Sequence, residues 1–284
     1  IRHVQPEMVI TVKGPDGRWV GNEGGVGRTT EWSVIPLPES PESHDWPDRT
    51  RSDLGSRSRL TRGSYLWWYS AEVNMPILHG WFWAPEKPCR TATELVNTYY
   101  QSVGRNGIWL LNLSPDSTGL IPENQLTNLR LSTQVINNTF ARNLAADSSV
   151  TADSSNPQNS PSLVLDDNLD TWWEAAQGQT SAEITLELST AVEFDVISLR
   201  EAVDHRSQRI ESFDIDVWDG SEWTTADTTE EGTTVGFKRL IRLRSPVKSN
   251  QVRIRIKNSR LEPTLAEVGL YKQAELIELP VISR

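Results

Sequence analysis

The residues best equipped for chemistry lie together between Arg18 and Val34, in the stretch RWVGNEGGVGRTTEWSV. It holds two carboxylates (Glu23, Glu31), two arginines (Arg18, Arg28), two tryptophans (Trp19, Trp32) and the glycines Gly21, Gly24, Gly25 and Gly27. A carboxyl group can give and take a proton at a reacting bond. Indoles offer flat faces with a polar N–H, and with guanidinium groups beside them they suit a sugar-lined cleft. The glycines would weaken a helix or a strand, so the centre of the stretch is a loop with unusual backbone angles or a close approach, and Glu23 stands at its tip. By itself such a stretch also reads as an exposed turn carrying a solvated glutamate.

Regular elements must position this loop. Met8 to Val12 (MVITV) reads as a short strand feeding it, the arrangement by which parallel α/β sheets present their sites. Pro36 to Gly63 reads as a long loop, with the arginine-bearing tract Arg49 to Arg62 solvated. Two aromatic stretches, Tyr65 to Tyr69 (YLWWY) and Ile77 to Trp83 (ILHGWFW), suit either a core or a cleft wall; His79 reads as a core histidine with a backbone partner. Thr91 with Glu94 forms a capping box, Ala92, Leu95, Val96, Tyr99, Tyr100 and Val103 recur at helical spacing, and Gly104 supplies the stop. Ile108 to Leu113 reads as a strand buried on both faces, and Pro122 to Phe140 as a second helix. This β/α rhythm belongs to a barrel or a doubly wound sheet, with too few strands to close one.

Composition narrows the function classes. A net charge of −10 argues against nucleic-acid binding, which needs clustered Lys and Arg. The single cysteine, Cys89, excludes an internal disulfide framework, and no apolar run is long enough to span a membrane. The chain begins at Ile1, without an initiator Met and close to an expected strand, so its N-terminus is expected to be a cut end.

The pattern changes near Asn143. Residues 143–162 read as a linker or opening loop, and beyond them apolar residues alternate: Ile184, Leu186 and Leu188; Phe213, Ile215 and Val217; Val252, Ile254 and Ile256 with Arg253 and Arg255 facing outward. Trp218 to Trp223 (WDGSEW) reads as a hairpin about Asp219 and Gly220. The expected architecture is therefore multidomain, α/β plus all-β. A β/α part spans 1–142, a β-sandwich 163–273 and a tail 274–284. The acidic cluster Asp166, Asp167, Asn168 and Asp170 offers oxygen ligands of the kind calcium takes, but lacks the closing Glu of an EF-hand loop and equally suits a solvated turn.

Several of these segments carry a resemblance. VGNEGGVGRTTEWSV, YSAEVNMPILHGWFW and YYQSVGRNGIWLLNLSPDSTGLI resemble the C-terminal part of the (β/α)8-type catalytic barrel of the α-L-fucosidases, glycoside hydrolase family 29, and more closely its α-1,3/1,4-acting branch. LDDNLDTWW, QRIESFDIDVWDGSEW and VRIRIKNSRLEPTLAEVGLY resemble the coagulation factor 5/8 C-terminal (discoidin) modules, jelly-roll sandwiches often appended to glycosidases as carbohydrate-binding domains.

The resemblance implies an exo-acting retaining hydrolase of terminal fucose, secreted or periplasmic, with two carboxyl groups about 5 Å apart and no catalytic cofactor. Glu23 matches the acid/base glutamate, with Glu31 and Glu72 as rivals; Glu31 suits pairing with Arg28, and Glu72 suits the cleft and the leaving group. The nucleophilic aspartate matches no residue here, so the remainder of the barrel is an expected partner and the chain alone is not expected to be competent. Trp81 matches the aromatic wall against the fucose methyl, Trp83 is its alternative, and Arg18 joins the substrate-binding candidates. In the sandwich, Asp166, Asn168, Thr171 and Glu267 would surround a structural calcium, although Asp167 stands where a glycine is common. The competing reading is a non-catalytic carbohydrate-binding protein whose sandwich does the binding.

Overall fold

The computed structural model of the protein describes residues 1–12, 14–42, 51 and 54–276. Its first part contains, in chain order, β1 (Gly17–Trp19), β2 (Val34–Leu37), α1 (Arg57–Leu60), β3 (Tyr65–Trp68), β4 (Ser70–Pro76), α2 (Ala92–Ser102), β5 (Gly107–Asn112) and α3 (Glu123–Thr139). β1, β4 and β5 make a parallel sheet with β4 in the middle, Trp19 level with Glu72 and Glu72 level with Ile108. β2 and β3 pair separately as an antiparallel ribbon.

Alternation along β4 sends Ala71, Val73 and Met75 to one face and Glu72 and Asn74 to the other. The first face is a dry core in which Met75, Ile77 and Leu78 pack with Leu95 of α2, and Trp109, Leu111 and Leu129 pad it. The second face is open: Ile108 and Leu110 remain 55% and 52% exposed. The strand around Ile108 to Leu113 is thus buried on one face, because among the described residues helices cover only that side.

α2 forms as its sequence requires. Thr91 accepts from Glu94 N–H, the Glu94 carboxylate accepts from Thr91 N–H, and the helix ends at Ser102. Two other expectations fail. Met8 to Val12 forms no strand among the described residues and is largely exposed, with Val9 open to solvent; the strand entering the loop is β1. Ile77 to Trp83 is irregular: Leu78 bridges Cys89 and the chain then bends through Gly80 at φ 140°. His79 is exposed, with only its main-chain N–H engaged, on the Pro88 carbonyl. Of the long segment between Pro36 and Gly63, residues 43–50, 52 and 53 lie outside the described residues; Pro36 and Leu37 belong to β2, and Arg57–Leu60 to α1.

The second part comprises β6 (Ser149–Ala152), a 3-10 turn (Pro161–Leu165), β7 (Trp173–Glu174), β8 (Ala182–Arg200), α4 (Val203–Arg206), β9 (Ile210–Trp218), β10 (Trp223–Thr225), β11 (Arg239–Ser259), β12 (Thr264–Leu265) and β13 (Glu267–Tyr271). An antiparallel sheet runs in the order β10-β9-β11-β8-β13, with β6 also on β8, and β12 pairs with β7. Ile184, Leu186, Phe213, Ile215, Val252, Ile254 and Ile256 all enter one core with Trp173 and Leu265, as their alternation predicts. On the opposite face Arg253 and Arg255 both donate to Asp216. The Trp218 hairpin is present, Gly220 taking φ 105° and the Asp219 carboxylate accepting from Ser221 and Glu222 N–H.

The stretch 143–162 is not a linker. Ala145 is fully buried in the sandwich core, Leu144 N–H donates to the Leu270 carbonyl, and β6 lies on β8. Its polar residues misled the reading because they serve as turn and edge positions of the sheet.

α2 and α3 separate the two sheets. Val96, Tyr100 and Val135 pack on Val196, Leu240 and Tyr271 of the sandwich, and Phe140 meets Tyr271 edge-on with ring centroids 4.9 Å apart. A buried polar seam runs beside this contact. At its back, the wholly buried Glu201 carboxylate accepts from Arg209 N–H (2.7 Å), Ile210 N–H (2.8 Å) and Gly236 N–H (2.6 Å). Burial pushes Glu201 up to about 7, although these donors pull the other way.

A carboxyl group raised in the folded state binds a proton there that the unfolded chain has already released, so it contributes stability that declines as pH rises from about 4.5 towards about 7. Comparing thermal midpoints across that interval, Glu201→Gln is expected to flatten the decline. It should also lower stability by about 1–3 kcal/mol, since an amide cannot accept from all three donors. An unchanged slope in the variant would show that other groups cause it.

Candidate active site

The chain leaves β1 at Trp19 and turns through Gly21 (φ 91°) and Gly25 (φ 74°). Gly25 N–H donates to the Asn74 carbonyl of β4 (3.1 Å), and Gly27 N–H to the Gln101 carbonyl of α2 (2.8 Å). Asn22 closes the tip, donating to Val26 O (2.8 Å) and accepting from Gly24 N–H (3.0 Å). The Trp19 indole donates to Asn74 Oδ1 (3.0 Å), so Asn74 holds the loop with both side chain and main chain. At the tip, Glu23 is exposed and its Oε2 accepts from the Trp81 indole N–H at 2.7 Å. Glu23, Trp81 and Asn112 thus come from the carboxyl ends of three adjacent parallel strands, the end at which such sheets carry their sites.

Trp81 lies in irregular chain beyond β4, and its carbonyl accepts from Asn112 Nδ2 (3.0 Å) and Ser114 Oγ (2.8 Å). Trp83 is turned away and packs against the Met75–Leu95 core. Arg18 is buried at 1% exposure and pairs with the Glu31 carboxylate; Arg28 reaches the other oxygen of Glu31 at 3.1 Å. Burial, and next the charge of Arg28, bring Arg18 down to about 9. This triad is a structural ion cluster behind the loop, removed from its open face, and Glu31 has the Arg28 pairing expected of it. Glu72 sits in the amino half of β4, level with Trp19 and Ile108, and is buried at 5% exposure, whereas Glu23 lies beyond the strand ends.

Asn74, Asn112 and Ser114 escaped the sequence reading. Their one local signal is position, a polar residue within or just past a strand otherwise apolar, and that alone gives no partner. A cavity of about 370 Å³ lined by Ser33, Trp68, Ser70 and Ile108 opens at the amino ends of the strands, away from Glu23.

In the sandwich, the Asp166 turn and Glu267 each have partners within the protein. The Asp166 carboxylate accepts from Asn168 N–H (3.0 Å) and Thr171 Oγ1 (2.6 Å), closing a turn in which Asp167 takes φ 57°, the left-handed angle that glycine favours. Glu267 instead lies beside its cross-strand partner Arg200, at 3.4 Å. Calcium takes six to eight oxygens; among the described residues no group of three or more His, Cys, Asp or Glu side chains could hold a metal ion. No described helix is long and apolar enough to cross a membrane.

Comparison with known proteins adds ancestry to this geometry. Residues 149–268 match the F5/8 type C domain. The chain is 34% identical over 283 residues to alpha-L-fucosidase 1 of Arabidopsis thaliana, covering 95% of this chain and 53% of that protein. Among solved structures it is similar to a GH29 fucosidase of Ruminococcus gnavus in complex with fucose (30% identity, TM-score 0.78, 92% of this chain and 51% of that one). It is also similar to SpGH29 (26% identity, TM-score 0.84, 96% and 58%). The chain spans about half the length of the curated relatives it matches.

Two outcomes follow from this geometry. A methyl group on Gly25 would lie 2.5 Å from Thr98 Cγ2 and 3.0 Å from Met75 Sδ, at a left-handed angle, whereas one on Gly24 meets only Asn22 Oδ1 at 3.5 Å. Gly25→Ala is therefore expected to lower stability by about 1–3 kcal/mol in denaturant titrations and Gly24→Ala by far less; equal effects would refute the close approach. If Asp166, Asn168, Thr171 and Glu267 gather round a calcium ion, millimolar calcium is expected to raise the thermal midpoint by about 5 °C, and an unmoved midpoint would leave the turn closed by its own hydrogen bonds alone.

Proposed function

The chain is related along nearly its whole length to the α-L-fucosidases of glycoside hydrolase family 29 and carries an F5/8 type C domain, and from that premise we propose that it is the C-terminal part of a retaining exo-α-L-fucosidase acting on terminal, α-1,3/1,4-linked fucose. The observation that carries this reading is the 2.7 Å hydrogen bond from Trp81 to Glu23 at the carboxyl end of the parallel strands. It supports Glu23 as general acid and base, with Trp81 beside it to meet the sugar.

In the first step Glu23 gives its proton to the glycosidic oxygen while a carboxylate on the opposite side of the sugar attacks the anomeric carbon. In the second, Glu23 takes a proton from water while the water oxygen bonds to the anomeric carbon and the carboxylate leaves it, which releases fucose with its configuration retained. The attacking carboxylate comes from the remainder of the barrel. Further strands would join the sheet at its edges, β1 and β5, and turn their side chains over the uncovered face with Ile108 and Leu110. The F5/8 type C domain serves as a carbohydrate-binding module that also buttresses the helices. A fucosylated oligosaccharide or glycoconjugate, met outside the cytoplasm, is the substrate.

The test uses the full-length protein and Glu23→Gln, with an aryl fucoside bearing an acidic phenol and a natural fucoside. The variant is expected to lose about 10²–10⁴-fold on the natural substrate and far less on the aryl one, which needs little protonation of its leaving group. The 284-residue chain alone is expected to release no fucose. Equal activity of variant and parent on both substrates would overturn the assignment; fucose binding without hydrolysis by the full-length protein would favour a carbohydrate-binding protein.

A further inference from the structure

Glu23 is exposed at the end of a glycine-rich loop, yet an acid that works on a bond must present one oxygen in one direction. The residue that touches it, Trp81, lies outside any helix or strand, so its own place must be set by side-chain contacts. Those contacts form a continuous path into the core. Gln125, in the first turn of α3, is fully buried and grips the main chain of Ser114 at two points: its Oε1 accepts from Ser114 N–H (3.0 Å) and its Nε2 donates to the Ser114 carbonyl (2.7 Å). Ser114, itself 2% exposed, turns its hydroxyl to the Trp81 carbonyl (2.8 Å). Asn112 Nδ2 donates to the same carbonyl (3.0 Å) and to Ser114 Oγ (3.2 Å).

We infer that Ser114, clamped by Gln125, is a positioning residue for the Glu23 carboxyl group and acts through Trp81, an inference that rests on Glu23 being the general acid and base. The chemistry of the indole gives the arrangement its direction. Its N–H only donates, so Oε2 of Glu23 is kept as an acceptor and Oε1 is left as the atom that carries the proton. Two donors on one carbonyl set the Trp81 backbone, which sets the indole, which sets the oxygen that faces the leaving group. Loss of the Ser114 hydroxyl removes one of those donors and leaves the half-buried carbonyl held by Asn112.

The experiment compares Ser114→Ala, Ser114→Thr and Glu23→Gln in the full-length protein. Ser114→Ala is expected to lose roughly tenfold in kcat/KM on a fucoside with a poor leaving group and less than about twofold on the aryl fucoside, because a misdirected acid matters only where protonation is needed. Ser114→Thr, which keeps the hydroxyl, is expected to lie nearer the parent on both. A second readout needs no turnover. The Trp81 indole N–H resonance, assigned through Trp81→Phe, should move with pH in the parent, be still in Glu23→Gln, and move by less than half as much in Ser114→Ala. Uniform losses on both substrates with a full indole response in Ser114→Ala would reduce Ser114 to a structural role and overturn the inference. If Glu23→Gln itself shows no leaving-group dependence, the general-acid reading has failed first; if it does and Ser114→Ala does not, only the positioning inference falls.

Discussion

Backbone amides and carbonyls taken out of water must find partners, and the segment Thr29 to Ser33 finds many of its own on the other domain. Glu31 N–H donates to Thr234 Oγ1 (3.0 Å) and Ser33 N–H to Gln208 Oε1 (2.9 Å), while Gln208 Nε2 returns a hydrogen bond to the Glu31 carbonyl (2.7 Å). Arg239, buried in β11, donates to the Thr29 carbonyl (3.1 Å). Were the sandwich absent, these groups would face water instead, so each hydrogen bond across the seam contributes about 0.5–1.5 kcal/mol net. The β/α part and the sandwich are thereby one body, and the stretch that follows the glycine-rich loop is built into their seam.

That seam also fixes the charges behind the site. Arg105 bridges the halves, donating to the Gly27 carbonyl at 2.9 Å and to the Glu230 carboxylate at 2.9 Å. Arg18, Glu31 and Arg28 form a cluster in which one buried carboxylate is shared by two guanidinium groups. Such a cluster adds little net stability, since desolvation offsets the attraction, but removing the shared partner would strand a buried charge. The carboxylate in this cluster is therefore occupied with structure. Glu23, one short loop earlier, is exposed and accepts from the neutral Trp81 indole.

Much of the fold was legible because it is written in short-range terms. The capping box of α2, the length of α3, the Asp219 hairpin and the inward alternation of β8, β9 and β11 each depend on residues a few positions apart. The errors came where context overrode local pattern. Met8 to Val12 has the residues of a strand and joins no sheet among the described residues; Ile108 and Leu110 are apolar enough for a core and face open space. The stretch 143–162, polar in composition, reads as a linker or an opening loop, and it is stitched to the sandwich by Asn143, whose side chain donates to Val268 O and accepts from Leu270 N–H.

The sequence by itself determined the helices α2 and α3, the Asp219 hairpin and the alternating strands, that a carboxylate stands at the tip of a loop held by glycines, and that an apolar sandwich with a charged outer face follows. Those are consequences of backbone freedom, side-chain period and capping, all of them local. Tertiary structure alone decided that Trp81, 58 residues further along the chain, donates to Glu23. It alone decided that Arg18 is sealed in an ion cluster while Trp83 joins a core, and that Glu267 faces Arg200 in place of the Asp166 turn. A hydrogen bond needs its atoms within about 3 Å and aligned, and which distant residues meet that condition is set by the packing of sheet on helix on sheet, which no spacing along the chain encodes.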